Sequence, residues 1–315
     1  MTVEDASSDQ SLRGASPVEA GRGHGDALSV EVSFVMPCLD EAETLEGCVA
    51  AAKRCITANR LDAEIIIADN GSLDGSQEIA RRCGARVVSI RERGYGAALN
   101  GGFEAARGRY LVMGDADQSY DFEEAIGMIE RLLGGADLVM GSRFTGRIEK
   151  GAMPWSHRWI GNPILSLIGR TLFRSKISDF HCGLRAIAKE SYQRLGMRTT
   201  GMEFASEIVV KATASKMRIE EIPITLHPDK RSRPPHLRSF RDGWRHLRFM
   251  LMLSPRYTLF LPGLFLMMIG GALLVRLYEG PLELGSATLG IHSMQLSSLL
   301  VIVGYQAVTI GVAAR

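Results

Sequence analysis

Two aspartates, Asp115 and Asp117, stand one residue apart in the run VMGDADQSYDF, at the end of an apolar segment. Like charges that close repel and shift each other's titration. A bound cation would compensate them, and carboxylate oxygens are the hard donors that Mg²⁺ or Mn²⁺ takes beside a substrate phosphate. Other polar groups follow apolar segments in the same way. Pro37, Asp40 and Glu41 follow SVEVSFVM; Asp69 and Asn70 close AEIIIADN; Ser142 and Arg143 follow ADLVMG. An acid at such a strand end suits a ribose hydroxyl or a base edge, while DNGSLDG is also turn chemistry. An arginine there can take phosphate through paired N–H groups. Asp40 with Glu43 has the spacing of a helix capping box. Gly94-Tyr95-Gly96 resembles part of a dinucleotide G-x-G-x-x-G, with Leu99 at the third glycine; it reads as a loop of close approach near a ligand.

The elements that position these residues alternate. Apolar strand-like runs end near Pro37, Asp69, Ile90, Met113 and Arg143, and helical spacing follows at DEAETLEGCVAAAKRCI, DGSQEIARRCG, GAALNGGFEAARG and FEEAIGMIERLLGG. Alternation of this kind predicts an α/β fold around a mainly parallel sheet, and in such sheets ligands bind at the carboxyl ends of the strands. Further on, NPILSLIGRTLF and MEFASEIVVKATASK read as helices and MRIEEIPIT as a strand. SDFHCGLRAI between them reads as a polar loop carrying Asp179, His181 and Arg185.

Charge position says more than the formal net charge of +2 over 315 residues. Residues 1–28 are polar and lack an apolar leader segment, so a disordered tail is expected there. From His227 to Arg256, eight Lys or Arg are opposed only by Asp229 and Asp242, and SFRDGWRHLRFMLML mixes those charges with apolar residues. That mixture predicts an amphipathic helix on a membrane surface. The run Lys230, Arg231 and Arg233 could anchor on lipid headgroups or hold an acceptor phosphate there, and the two are compatible. Residues 257–275 and 296–314 are uncharged stretches of spanning length. The basic flank predicts that the α/β domain, and the C-terminus, face the cytoplasm. Five cysteines without a C-x-x-C pair argue against a zinc site or a disulfide framework. The expected organisation is a tail (1–28), an α/β domain (29–228), a basic juxtamembrane segment (229–256) and two spans within 257–315.

Together PCLDE, IIIADNGSLDGS, RGYGAALNGGF, DADQSYDF, GSRF and SDFHCGLRA resemble, in order, the motifs of family 2 glycosyltransferases with a GT-A fold. Within them the chain is most similar to the dolichyl- or polyprenyl-phosphate sugar transferases, over about residues 30–230. The resemblance implies a membrane enzyme that moves one hexose from UDP-glucose or GDP-mannose to a polyprenyl or dolichyl phosphate with inversion. It implies Mg²⁺ or Mn²⁺ on Asp115 and Asp117, with Asp117 the more direct ligand. Pro37, Asp40, Glu41, Asp69, Asn70, Gly94 and Gly96 would surround the nucleotide sugar. Asp179 would position the acceptor or act as base, and Arg143, Lys230, Arg231 and Arg233 would bind phosphate charge. This chain departs from the family pattern at Asp40, Asn70 and Cys182, and Gln118 and Ser119 leave a third metal ligand unassigned. WSHRW at 155–159 lacks the glutamine of the processive synthases' Q-x-x-R-W, which favours a single transfer. Other readings are a transferase acting on another lipid such as diacylglycerol, a nicotinamide-dependent oxidoreductase resting on GYGAAL, and a non-catalytic nucleotide-sugar-binding subunit. The expected partners are the nucleotide sugar, the lipid phosphate and the bilayer. No nucleic acid is expected, and self-association is left open.

Overall fold

The computed structural model describes residues 30–232, 239–284 and 287–314. The expected tail and Arg233 lie outside them. The first half alternates as its periodicity requires: β1 (Val32–Cys38), α1 (Leu45–Asn59), β2 (Ala63–Asp69), α2 (Ser76–Arg82), β3 (Arg86–Ser89), α3 (Tyr95–Ala105), β4 (Tyr110–Met113), α4 (Ala125–Leu133) and β5 (Leu138–Ile148). Then come α5 (Asn162–Phe173), β6 (Arg185–Ala188), α6 (Lys189–Leu195), α7 (Phe204–Ala214) and β7 (Ile219–Leu226). The chain continues through α8 (Ser239–Met252), α9 (Leu261–Tyr278), the short strands β8 (Leu282–Leu284) and β9 (Ala287–Leu289), and α10 (Ile291–Ala313).

The seven strands form one sheet in the order β3-β2-β1-β4-β6-β5-β7. Pairing is parallel except where β6 runs antiparallel between β4 and β5. The central strands are apolar on both faces because both are covered, as a parallel sheet requires. Phe34 and Met36 of β1 pack with α1 and α4 on one side; Val35 packs with Phe103, Phe204 and Ile208 on the other.

Two expectations change. The segment read as a polar loop holds β6, an internal strand of the sheet between β4 and β5. Its four residues carry no strand periodicity of their own, and pairing on both edges creates the strand. Asp40 does not cap α1: Thr44 stands at that position, without a side-chain cap hydrogen bond. Asp40 instead sits at φ +57° and ties two loops, donating its N–H to Ser72 Oγ and accepting from Leu73 N–H. Among the described residues the five cysteines are unpaired; four are buried and Cys83 is half-buried, as small core residues.

The apolar segments form a hairpin. Arg256–Tyr278 and Ile291–Ala313 are each long and apolar enough to cross a membrane, a few residues offset from the stretches expected. Gly263 and Gly270 of α9 face Gly304 and Ser297 of α10, and these small residues recur every seventh position. Small residues let two helix backbones approach where no hydrophobic effect drives them together. A Cβ on Gly304 would lie 2.6 Å from the Gly263 carbonyl oxygen. Gly304→Val is therefore expected to separate the pair at a cost of about 1–3 kcal/mol. The check is a lower unfolding temperature in detergent, with Gly271→Val, which meets nothing within 4 Å, as the control.

Candidate active site

The loops after β1, β2, β3 and β4 meet α8 around a cavity of about 570 Å³. Its walls include Pro37, Cys38, Glu41, Asn70, Arg93, Gly94, Tyr95, Asp115 and Asp117, with Arg231, Arg241 and Arg245 closing it from the C-terminal side.

The aspartate pair is held from several directions. β4 ends at Met113, so both carboxylates lie on the turn beyond the sheet. Thr44 Oγ1 donates to the Ala116 carbonyl at 2.7 Å, fixing the turn to the start of α1. Tyr95 O–H donates to Asp115 Oδ1 at 3.0 Å. Burial, then the neighbouring charge of Asp117, pushes the Asp115 carboxyl up to about 7. Asp117 Oδ1 accepts from the N–H and hydroxyl of Ser119. The segment after β7 runs along this turn, with His227 N–H on the Ser119 carbonyl and Lys230 N–H on that of Asp117. It delivers Arg231, whose guanidinium reaches Asp117 Oδ2 at 2.9 Å, Glu41 Oε1 at 3.2 Å and Asp229 Oδ2 at 2.9 Å. Its Nε is buried without a hydrogen-bond partner.

These acids thus already hold a cation, the guanidinium. Their oxygens are donors of the kind Mg²⁺ or Mn²⁺ uses. Among the described residues no group of three or more His, Cys, Asp or Glu could hold a metal. Two carboxylates, completed by substrate phosphate and water, match the habit of Mg²⁺, which keeps few protein ligands. Gln118 is engaged elsewhere, donating to the Thr44 carbonyl at 2.9 Å, and Ser119 orients Asp117.

Several expected site residues lie off the cavity wall. Asp69 is buried in its own turn, accepting from Gly71 and Ser72 N–H and from Gln77 Nε2 at 2.7 Å. Its neighbour Asn70 reaches the wall and laces the loops together, donating to the Ile90 and Glu92 carbonyls and accepting from Gly94 N–H. Gly94 (φ +137°) and Gly96 are needed for close approach, but to the chain's own 199–201 segment, whose carbonyls a Cβ would strike. Asp179 and Arg143 are paired with each other: Arg143 Nε and Nη2 donate to the carboxylate at 2.6 and 2.8 Å, and its backbone N–H adds a third bond. Asp179, expected to position the acceptor or act as base, is fully buried, and neither it nor Arg143, expected to bind phosphate charge, lines the cavity. Arg185 is likewise internal, donating to the carbonyls of Cys182, Phe180 and Ala205. Lys230 is exposed and outside the wall.

Arg93, Tyr95, Arg241 and Arg245 were missed. The arginines of α8 sat within the basic stretch read as a membrane contact, and nothing local separates a lipid-facing arginine from a cavity-facing one. The helix is seated by Asp242, His246 and Met250, four residues apart on its buried face. His246 Nδ1 and His181 Nε2 share the Ser206 hydroxyl at 2.8 and 3.1 Å. Burial pushes both imidazoles down, His246 to about 4; nearby Arg185 pushes the same way and Asp242 opposes it. An unfolded histidine titrates near 6.5. Below that pH the unfolded chain binds protons that the folded chain excludes, so stability falls as pH drops from about 6.5 toward 4. Asp115, raised to about 7, works in the opposite sense over the same window, so the check is a difference: from pH 6.5 toward 4 the unfolding temperature of wild type should fall relative to that of His246→Gln.

A mixed sheet of this order, with its cavity at the carboxyl ends of the strands, is the GT-A glycosyltransferase fold. Glucosyl-3-phosphoglycerate synthase from Mycobacterium tuberculosis, solved with Mn²⁺, UDP and glucosyl-3-phosphoglycerate, shares it. The TM-score is 0.54 at 20% identity, covering 73% of this chain and 80% of that one. Residues 33–196 match the sequence model of glycosyl transferase family 2, and the chain belongs to that family. It is 40% identical over 285 residues to the low-salt glycan biosynthesis hexosyltransferase Agl6 of Haloferax volcanii, covering 90% of this chain and 68% of Agl6. It is 30% identical over 194 residues to a dolichyl-phosphate hexose transferase of the same organism, covering 62% of this chain and 82% of that protein. The protein is accordingly a glycosyltransferase, and the oxidoreductase reading of GYGAAL is set aside.

Proposed function

We propose that this glycosyltransferase transfers one hexose from a nucleotide-diphosphate sugar to a polyprenyl or dolichyl phosphate at a membrane surface. The observation that carries this reading is the cavity itself. Paired carboxylates form one wall and arginines of α8 the other, and α8 leads into an apolar hairpin of spanning length.

In this reading the nucleotide sugar lies across the strand ends, beside Pro37, Glu41, Asn70 and Gly94. Asp115 and Asp117 hold Mg²⁺ or Mn²⁺ with the donor diphosphate. When bound, the ion neutralises charge on the departing nucleoside diphosphate. Arg231, the resting partner of Asp117, is within reach of that diphosphate. Arg241 and Arg245 receive the acceptor phosphate, a role first expected of Lys230, Arg231 and Arg233. An acceptor phosphate oxygen forms the new bond to the anomeric carbon as the bond from that carbon to the diphosphate oxygen breaks. Attack opposite the leaving group inverts the centre. The acceptor is already ionised, so no strong base is needed, and Asp179 serves to hold Arg143. The α/β unit (29–228) then lies on the cytoplasmic face, with 229–256 on the membrane surface and both apolar helices across it. UDP-glucose and GDP-mannose remain equal candidates as donor.

The test is nucleoside diphosphate release by detergent-purified protein with Mn²⁺ or Mg²⁺, a donor panel and either polyprenyl phosphate or diacylglycerol, with lipid products extracted. Release that requires the lipid phosphate supports the reading. Transfer to diacylglycerol alone would replace the acceptor. No turnover with any acceptor by folded protein would favour a non-catalytic subunit.

A further inference from the structure

Helix α7 begins with an acid that does not serve it. Glu203 stands at the N-cap, where a side-chain oxygen ordinarily accepts an N–H of the first turn, yet it makes no side-chain cap hydrogen bond. Its carboxylate folds back over Gly201 instead. A Cβ on Gly201 would lie 2.5 and 2.9 Å from the two carboxylate oxygens. Gly201 is not among the residues at positive φ, so its backbone does not require glycine; the carboxylate requires the space. Oε2 of Glu203 is buried without a hydrogen-bond partner. Among the described residues no cation pairs with Glu203 either: Arg241 and Arg245 of the cavity wall turn to Asp242. A buried polar atom left unpaired costs free energy. An acceptor kept in that state points to a hydrogen-bond donor that arrives from outside.

The chemistry of that partner follows from where the carboxylate sits. Gly201 and Met202 are part of the cavity wall. On one side the segment before α7 packs against α3, where a Cβ on Gly96 would meet the Thr199 and Gly201 carbonyl oxygens at 2.6 and 2.9 Å. On the other side the Ser206 hydroxyl of α7 meets His246 Nδ1 of α8 at 2.8 Å. The start of α7 is thus wedged between the helix whose Tyr95 holds Asp115 and the helix that carries Arg241 and Arg245. A hexose passing from a diphosphate at the aspartates to a phosphate at these arginines has its ring between the two. A carboxylate there is an acceptor only, and it repels either phosphate. Among the described residues it does not join Asp115 and Asp117 in a metal-holding group. Sugar hydroxyls are donors that suit it, and two on adjacent ring carbons match its two oxygens.

We propose that Glu203 is a specificity-determining residue that accepts hydrogen bonds from hydroxyls of the hexose of the nucleotide sugar. This rests on the transfer proposed above, and binding measured without turnover separates the two.

Calorimetry with detergent-purified full chain, Mg²⁺ and no acceptor compares UDP-glucose with UDP and GDP-mannose with GDP, for wild type, Glu203→Ala and Glu203→Gln. For the nucleotide sugar that wild type binds, Glu203→Ala is expected to weaken binding roughly 10- to 100-fold, the scale of a hydrogen bond to a charged group. Affinity for the matching nucleoside diphosphate should not change. Glu203→Gln, which keeps one carbonyl acceptor, should fall between. Deoxy analogues of the same sugar locate the contact. One of them should bind wild type as weakly as the full sugar binds Glu203→Ala, and the variant should no longer distinguish the two. A structural acid at the start of a helix behaves otherwise: its removal lowers the unfolding temperature and weakens both ligands alike or neither. Equal losses for nucleotide sugar and nucleoside diphosphate, or no loss for either, would overturn the assignment. Wild type that binds neither nucleotide sugar would overturn it together with the donor reading. Sugar binding that depends on Glu203, without transfer to polyprenyl phosphate, would support it and fail only the acceptor.

Discussion

Asp117→Asn is expected to lower metal-dependent nucleoside diphosphate release by about 1,000-fold, the scale of losing an electrostatic contact that acts on developing charge. Asp117 Oδ1 is spent on Ser119, which leaves Oδ2 as the oxygen facing a cation, and Oδ2 now holds Arg231. An amide at this position keeps the shape and a neutral acceptor but loses the charge. The fold should tolerate the change. It relieves repulsion with Asp115, and Arg231 keeps Glu41 and Asp229. The measurement pairs turnover at saturating donor with the unfolding temperature and with Mn²⁺ binding followed by electron paramagnetic resonance. Lost turnover with an intact fold and weakened Mn²⁺ binding is the expected result. Unchanged Mn²⁺ binding would remove Asp117 from the metal site and send the search for the ligand elsewhere. Arg231→Gln should act in the opposite sense on Mn²⁺ in the absence of donor, because it removes the competing cation.

Asp179→Asn is expected to act on stability first. The carboxylate is fully buried and compensates a guanidinium that is itself only 8% exposed. Removing one partner of a buried pair strands the other charge, at a cost of about 3–5 kcal/mol. The Asp179 charge is the main cause that holds the Arg143 guanidinium above its ordinary value against burial; without it the guanidinium is basic enough to stay charged, now without that partner. Replacing both residues by apolar side chains should recover much of the loss, since the pair's own desolvation disappears with it. A base or an acceptor-positioning acid would behave differently: turnover would collapse while the unfolding transition stayed in place. Denaturant unfolding of the single and double variants, run beside turnover, distinguishes the two roles.

Much of this protein could be read along the chain. Strand and helix periodicity, the apolar run into Asp115 and Asp117, and the two spanning lengths are properties of neighbouring residues. Local sequence therefore determined the α/β class, the strand-end position of the acids and the C-terminal hairpin. Motif order added the family. What the tertiary structure decided depends on residues far apart. Arg231 meets Glu41 across 190 positions, and Arg143 meets Asp179 across 36. Nothing in the local run GSRF or SDFHCG says that these two charges will bury each other and not face a substrate. β6 is a strand only because β4 and β5 flank it. Arg241 and Arg245 point to a cavity because Asp242, His246 and Met250 seat α8 on the domain. Helix α5 has an ordinary helical sequence; only packing shows that its small residues, Ser166 and Gly169, are the ones buried while Ile164 and Leu167 face outward. Local pattern specifies an element and its amphipathic stripe. Which charges are neutralised, and which stripe is left uncovered, is set by what the rest of the chain brings alongside.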